Sequence, residues 1–87
     1  MIIFVVNGKD VPVEIVPGMT LREARARALR QSQNIAWPAE DWEISQNGPI
    51  SELALNGLTF SPEAFDPLTE IRFFLTFRAD ASGVWLS

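Results

Sequence analysis

The spacing of apolar residues predicts a β-hairpin at the start of the chain. The apolar run at 2–6, IIFVV, leads into Asn7-Gly8, a dipeptide that favours a two-residue type I′ turn because both central positions need positive φ. The segment VPVEIV at 11–16 then alternates apolar with other residues, which is typical of a strand with one buried face. Pro12 has no N–H to donate to a neighbouring strand, so we place this second strand at an edge of the sheet.

The next periodic segment, TLREARARALRQS at 20–32, predicts a helix. Thr20 is the expected N-cap, and Glu23 stands three residues later, where it completes a capping box. The apolar face of the helix is formed by Leu21, Ala24 and Ala28. Arg25 falls close to that face, so we expect its stem to be packed and its guanidinium to be paired with a carboxylate, since a buried unpaired charge is unfavourable.

The second half of the chain has weaker patterns up to its last strand. Ile35 is predicted to plug the core, and WEIS at 42–45 is predicted to be a short strand. The segment 49–67 is predicted to be an irregular connection with a short strand and one helical turn near 61–65. The alternating segment EIRFFLTF at 70–77 is the last strand, which we place parallel to the first. These elements predict an α+β fold in which one main helix covers one face of a mixed sheet.

Composition narrows the classes of function. The chain has 87 residues, no histidine and no cysteine, so a thiolate nucleophile or a zinc site is very hard to build, and we expect neither an enzyme nor a resident metal or cofactor. The net charge of −4 disfavours nucleic acid as a partner. No apolar run approaches the ~20 residues of a membrane span, and the first residues lack the features of a signal peptide. We therefore expect a cytoplasmic protein that does not bind membranes.

The order of these elements resembles the β-grasp fold, and the local sequence resembles ubiquitin. The resemblance is carried by IFV in the first strand, VPVEIVP in the second, TLREARARAL at the helix start, and IRFFLTFR, which ends in an arginine at the position of a similar one in ubiquitin. It covers residues 3–78. The chain resembles in particular the small bacterial ubiquitin-like proteins found in operons with activating, conjugating and deconjugating enzymes. The resemblance implies a β-grasp domain over 1–78.

The resemblance also implies a function as a protein modifier made as a precursor. A zinc-dependent partner peptidase would cut after Gly83, with Ser82, Gly83 and Val84 as the processing site. Activating and conjugating enzymes would then adenylate the Gly83 carboxylate and attach it to target proteins. Residues 79–83 would form a flexible tail and 84–87 a removable extension, on what we expect to be a monomer. Here Ser82-Gly83 stands where the family has a double glycine.

The residues around the tail suit this chemistry on physical grounds. A tail that threads into a narrow active site must be slim, and glycine has no Cβ to obstruct a close approach of its backbone. The lead before Gly83, ADAS at 79–82, consists of small or short residues. Lys9 is the only lysine of the chain, so it and the N-terminal amine are the possible acceptors if chains of the protein form through isopeptide or peptide bonds.

The alternation of the first strand suggests a surface for binding partners. If Ile3 and Val5 point inward, their neighbours point to the face opposite the helix, beside Phe74 of the last strand, and an exposed apolar patch often marks a partner site. The predicted partner-binding surface consists of Phe4, Val6, Arg72, Phe74 and Arg78.

Two other functions and a simpler explanation of the tail fit the same sequence. A β-grasp domain could bind a partner noncovalently through this sheet face, with no role for the tail. A sulfur carrier would use the same C-terminal glycine as a thiocarboxylate. A glycine in a tail also needs no purpose, because chain termini are commonly poorly ordered.

Overall fold

The computed structural model describes residues 1–78, and residues 79–87, which include the predicted processing site, lie outside the described part. The strands are β1 (Ile2–Val6), β2 (Lys9–Val13), β3 (Trp42–Ser45), β4 (Pro49–Ile50) and β5 (Ile71–Phe77); the helices are α1 (Leu21–Gln31) and α2 (Glu52–Leu55), with 3₁₀ turns at Ala39–Asp41 and Pro62–Phe65.

The strands form one mixed sheet in the order β2-β1-β5-β3-β4. The pair β1–β5 is parallel, while β1–β2, β3–β5 and β3–β4 are antiparallel. The predicted α+β class, the parallel pairing of the first and last strands, and the edge position of β2 are therefore confirmed. Pro12 on that edge has its carbonyl occupied by the Nε2 of Gln31 from α1, at 2.8 Å.

The first hairpin and the main helix begin as their local sequences predict. Asn7 and Gly8 both have positive φ, 53° and 78°, as a type I′ turn requires. Thr20 caps α1, and its hydroxyl accepts from the backbone N–H of Glu23 while the Glu23 carboxylate accepts from the Thr20 backbone N–H. The hydrogen bond from the Thr20 backbone lowers the pKa of Glu23. No helix within residues 1–78 is both long and apolar enough to span a bilayer.

The predicted orientation of β1 is wrong. Phe4 and Val6 are buried, with Phe4 fully inaccessible, and Phe4 stacks on Phe73 with ring centroids 5.4 Å apart. The reason lies in the register, since the two-residue turn pairs Phe4 with Val11 and residues directly opposite in a sheet point to the same face. Because Val11 faces the core, Phe4 must face it too.

Two features of the middle of the chain also differ from the prediction. Ile35 is 70% exposed and does not plug the core, because Gln33 adopts a positive φ of 62° after the helix and the chain turns outward. The connection also contains α2, which the sequence reading missed; Ser51 caps it, and Leu55 is fully buried. The helical turn predicted near 61–65 is present as a 3₁₀ turn.

Phe4→Ala and Phe74→Ala form a matched test of the orientation of β1. We expect Phe4→Ala to lower the free energy of unfolding by about 3–5 kcal/mol, because it leaves a cavity among buried side chains. The exposed Phe74→Ala should cost under about 1 kcal/mol. Urea denaturation followed by circular dichroism gives both values, and a larger loss for Phe74→Ala would reverse the assignment.

Candidate functional site

The end of β5 is the point from which residues 79–87 continue. This strand lies between β1 and β3 in the sheet, and Phe77 packs edge-on against Trp42 of β3. The backbone N–H of Arg78 donates to the carbonyl of Asp41 at 2.7 Å. The base of the predicted tail is therefore fixed by a central strand and by the turn that precedes β3.

A buried ion pair lies beside this base. The side chain of Arg25, on the inner face of α1, has no exposed surface. Its Nη1 and Nη2 donate to the two carboxylate oxygens of Glu52 at 2.6 and 2.9 Å, and Nη1 also donates to the carbonyl of Trp42 at 2.9 Å. This two-pronged geometry is the strong form of the arginine–carboxylate interaction. The prediction that Arg25 would be packed and paired is confirmed.

Glu52 joins this pair to the end of β5. Its Oε2 also accepts from the Nη2 of Arg78 at 3.3 Å, and Arg78 Nη1 donates to the carbonyl of Glu40 at 3.4 Å. The hydrogen bonds from Arg25 lower the pKa of Glu52, and the positive charges of Arg25 and Arg78 add to the effect. We call Arg25, Glu52 and Arg78 the ion cluster. Within residues 1–78, the Nε of Arg25 and the Nε1 of Trp42 are buried donors without an acceptor.

Glu52 is the member of the ion cluster that the sequence did not predict. Its helix is four residues long and lies in a stretch with no clear period. One signal was available, because Arg25 on a buried face requires a carboxylate, and Ser51 before Glu52 fits an N-cap followed by an acid. With eleven acidic residues in the chain, however, no spacing identifies the partner.

The sheet face opposite α1 is the second candidate site. Register places Val5, Phe74 and Ser45 side by side across three strands on this face, and Phe74 is 47% exposed. Arg72 lies on the same face and forms ion pairs with Asp10 and Glu70 at 2.9 and 2.8 Å.

The structure thus separates the predicted partner-binding surface into three places. Phe74 and Arg72 lie on the open sheet face. Phe4 and Val6 lie in the core beneath the sheet, so they cannot contact a partner without unfolding. Arg78 belongs to the ion cluster. Ser82, Gly83 and Val84, the predicted processing site, lie outside the described residues.

The two possible acceptor amines have different surroundings. Lys9 begins β2 and is exposed, and no ion pair holds it within residues 1–78. The N-terminal ammonium donates to the backbone carbonyls of Ala64, Asp66 and Thr69 at 3.2, 2.9 and 2.6 Å. Of the two amines, Lys9 is the one that forms no hydrogen bond or ion pair within residues 1–78. The same part of the chain contains no group of three His, Cys, Asp or Glu side chains arranged to hold a metal ion.

These features define a small α+β domain with one main helix on a mixed sheet and an ion cluster at the end of its last strand. The family described as "Protein of Unknown function (DUF2604)" matches residues 1–55, and the chain belongs to this family. The matched part contains both Arg25 and Glu52 and ends before β5.

One relative is similar to part of the chain. Over 43 residues the chain is 50% identical to the "Uncharacterized protein y4jI" of Sinorhizobium fredii (strain NBRC 101917 / NGR234). The similar segment covers 49% of this chain and 33% of that protein, so the chain aligns with about a third of the relative's length.

Glu52→Gln tests the energetic weight of the ion cluster. We expect it to lower the free energy of unfolding by about 3 kcal/mol, because Arg25 keeps its buried charge and loses the opposite one. The matched control is Glu40→Gln, which breaks the exposed pair with Arg22 at 3.0 Å and should cost under about 1 kcal/mol. Urea denaturation at pH 7 measures both. Equal losses would show that the burial of Arg25 gives the pair no special weight.

The lowered pKa of Glu52 predicts how this difference depends on pH. The carboxyl has a lower pKa in the folded chain than its ordinary value of 4.5, so its contribution to stability is complete above that value and is lost as the pH falls through the folded-state pKa. The gap between the wild type and Glu52→Gln should be constant from pH 7 to about 5.5 and then narrow on further acidification. A gap that widens as the pH falls would contradict this assignment.

Proposed function

We propose that the chain is a ubiquitin-like protein modifier that is attached to target proteins through the carboxylate of Gly83. The observation that carries the proposal is the end of β5. The last residues of this central strand are fixed by Phe77 packing and by the ion cluster at Arg78, and residues 79–87 follow them directly in the sequence. A protein that is recognised by its folded part and joined by its end requires this arrangement of a rigid base followed by a slim segment.

The fold supports the proposal through its strand order. We infer that the domain is a β-grasp domain of the ubiquitin type, because the hairpin, the helix and the parallel pairing of β1 with β5 occur in the order that this resemblance implies. The sheet order β2-β1-β5-β3-β4 and the helix on one face are compatible with it. The chain supplies a surface and a terminus, and the catalytic side chains belong to its partners.

The proposed reaction sequence begins with hydrolysis. A zinc-dependent peptidase cleaves the peptide bond between Gly83 and Val84, so that Gly83 gains a free carboxylate and residues 84–87 leave with a new amine. An activating enzyme then joins this carboxylate to the α-phosphate of ATP and releases pyrophosphate. The acyl group of Gly83 is then transferred to an amine of the target by a conjugating enzyme. AMP leaves the acyl group in the course of this transfer. These steps place the protein in the cytoplasm of a bacterial cell, where ATP is available.

The length of residues 79–83 is sufficient for these steps. The five residues 79–83 span up to about 17 Å when extended, and the sequence ADASG contains no bulky side chain that would block a narrow channel. If copies of the protein are joined to one another, Lys9 is the acceptor that the surroundings of the two amines favour.

A noncovalent interaction module is the second candidate function. Phe74 favours it, because it is a large apolar side chain that lies half exposed in the middle of the open sheet face. In that case the sheet face binds a partner and residues 79–87 have no part in function. A sulfur carrier, with a thiocarboxylate at Gly83, is a third outcome that mass spectrometry of the processed chain distinguishes.

Gly83→Ala and Gly83→Val test the modifier proposal. The cells also produce enzymes of the same genome that activate, conjugate and process ubiquitin-like proteins. In these cells we expect the wild type to form higher-mass conjugates. Gly83→Ala should reduce their amount several-fold, and Gly83→Val should nearly abolish them, because a branched Cβ obstructs the close approach of the backbone. Immunoblotting and mass spectrometry of the conjugates give the result.

Phe74→Glu is the control that separates the two candidate functions. As a modifier, the chain with Phe74→Glu still carries its intact terminus and can still be processed after Gly83. If Gly83→Val forms conjugates at the wild-type level, the modifier proposal is wrong. If partner binding is unaffected by removal of residues 79–87 and is abolished by Phe74→Glu, the noncovalent function replaces it.

A further inference from the structure

A groove beside the C-terminal end of α1 lies outside both sites described above. It has a volume of about 200 Å³ and is lined mainly by Leu29, Arg30, Asn34, Ile35, Trp37 and Ala39. Most of its lining residues are apolar, and Arg30 is the one cationic side chain among them. Ile35 is 70% exposed and Trp37 is 47% exposed, so two large apolar side chains stand in solvent within three positions of each other.

The segment that carries Ile35 and Trp37 is bounded by the hydrogen bonds of Asn34 on one side and by a ring contact of Trp37 on the other. The N–H of Asn34 donates to the carbonyl of Leu29 at 2.8 Å, and its side-chain amide donates to the hydroxyl of Ser32 at 2.8 Å. At the other end, the Trp37 ring lies 6.1 Å from the ring of Phe77. The chain on either side of Ile35 is therefore tied to α1 and to β5, and the two apolar side chains are exposed between these contacts.

Charge distinguishes this groove from an ordinary apolar depression. Two other arginines of α1, both only partly exposed, have acceptors, since Arg22 pairs with Glu40 and Arg27 donates to the carbonyl of Glu14. Arg30 lines the groove, is exposed, and forms no ion pair or side-chain hydrogen bond within residues 1–78. An exposed guanidinium next to apolar walls is complementary to a carboxylate next to an apolar side chain.

We propose that this groove binds a partner protein through a segment in which a bulky apolar side chain stands next to an acidic residue. The apolar side chain contacts Ile35 and Trp37, and the carboxylate accepts hydrogen bonds from Arg30. Because Trp37 also contacts Phe77 at the end of β5, a partner bound here lies beside the base of residues 79–87. The binding does not require covalent modification, so its test is independent of the function proposed above.

The test uses two acetylated, amidated peptides and the full 87-residue chain labelled with ¹⁵N. One peptide has the sequence Glu-Leu-Phe-Glu, and the other has lysine in place of both glutamates. We expect the acidic peptide to shift the amide signals of residues 26–39 and the indole signal of Trp37 in a saturable way. The lysine peptide should bind about tenfold more weakly, because it places a positive charge against Arg30.

Arg30→Gln and Arg27→Gln are the matched variants. Both remove one positive charge from α1, but only Arg30 lines the groove. Arg30→Gln should remove most of the preference for the acidic peptide, and Arg27→Gln should leave it intact. Ile35→Ser should weaken both peptides, because it removes the apolar contact without changing charge.

Several results would overturn the proposal. They are the absence of saturable shifts up to about 5 mM peptide, equal binding of the two peptides, or shifts centred on Phe74. Tighter peptide binding by the Trp85→Ser variant would show that the chain's own residues 84–87 occupy the groove. Shifts that depend on protein concentration in the absence of peptide would show that a second copy of the chain occupies the groove.

Discussion

The buried charge of Arg25 is the constraint on which the rest of the fold depends. A guanidinium without exposed surface must be neutralised nearby, and the carboxylate that does so comes from Glu52, 27 positions later in the chain. That requirement fixes α2 against α1 and holds the carbonyl of Trp42 in β3 at hydrogen-bonding distance. Since Glu52 also binds Arg78, the interaction that anchors the helix fixes the point where β5 ends.

Local signals predicted the parts of the fold that depend on neighbouring residues. Asn7-Gly8 predicted the hairpin, and Thr20 with Glu23 predicted the start of α1. The position of Arg25 near the apolar face predicted a carboxylate partner. The orientation of β1 was predicted wrongly because all five of its residues are apolar, so alternation within that strand carries no information. The register across the turn, through Val11, contains the missing information. The pairing with Glu52 depends on tertiary contacts, and no short-range pattern in the sequence specifies it.

The candidate sites were likewise predictable only in part from the sequence. The exposure of Phe74 follows from the alternation of β5, and its neighbours across the sheet follow from register. The Ile35–Trp37 groove was not predicted, because its exposure results from the left-handed turn at Gln33, which sequence alone did not reveal. The domain thus has an open sheet face, an apolar groove lined by the one arginine Arg30, and a strand end that is fixed by the ion cluster at Arg78. All three are features that the proposed interactions with partner proteins would use.

The intact mass of the full chain tests the modifier account most directly. It is measured after co-expression with active peptidases of the same genome that process ubiquitin-like proteins. The account predicts loss of the mass of residues 84–87, Val-Trp-Leu-Ser, and of nothing else, which leaves Gly83 as the terminus. A full-length mass, with each peptidase shown to cleave a known substrate, would contradict it. Residues 84–87 would then belong to the working protein.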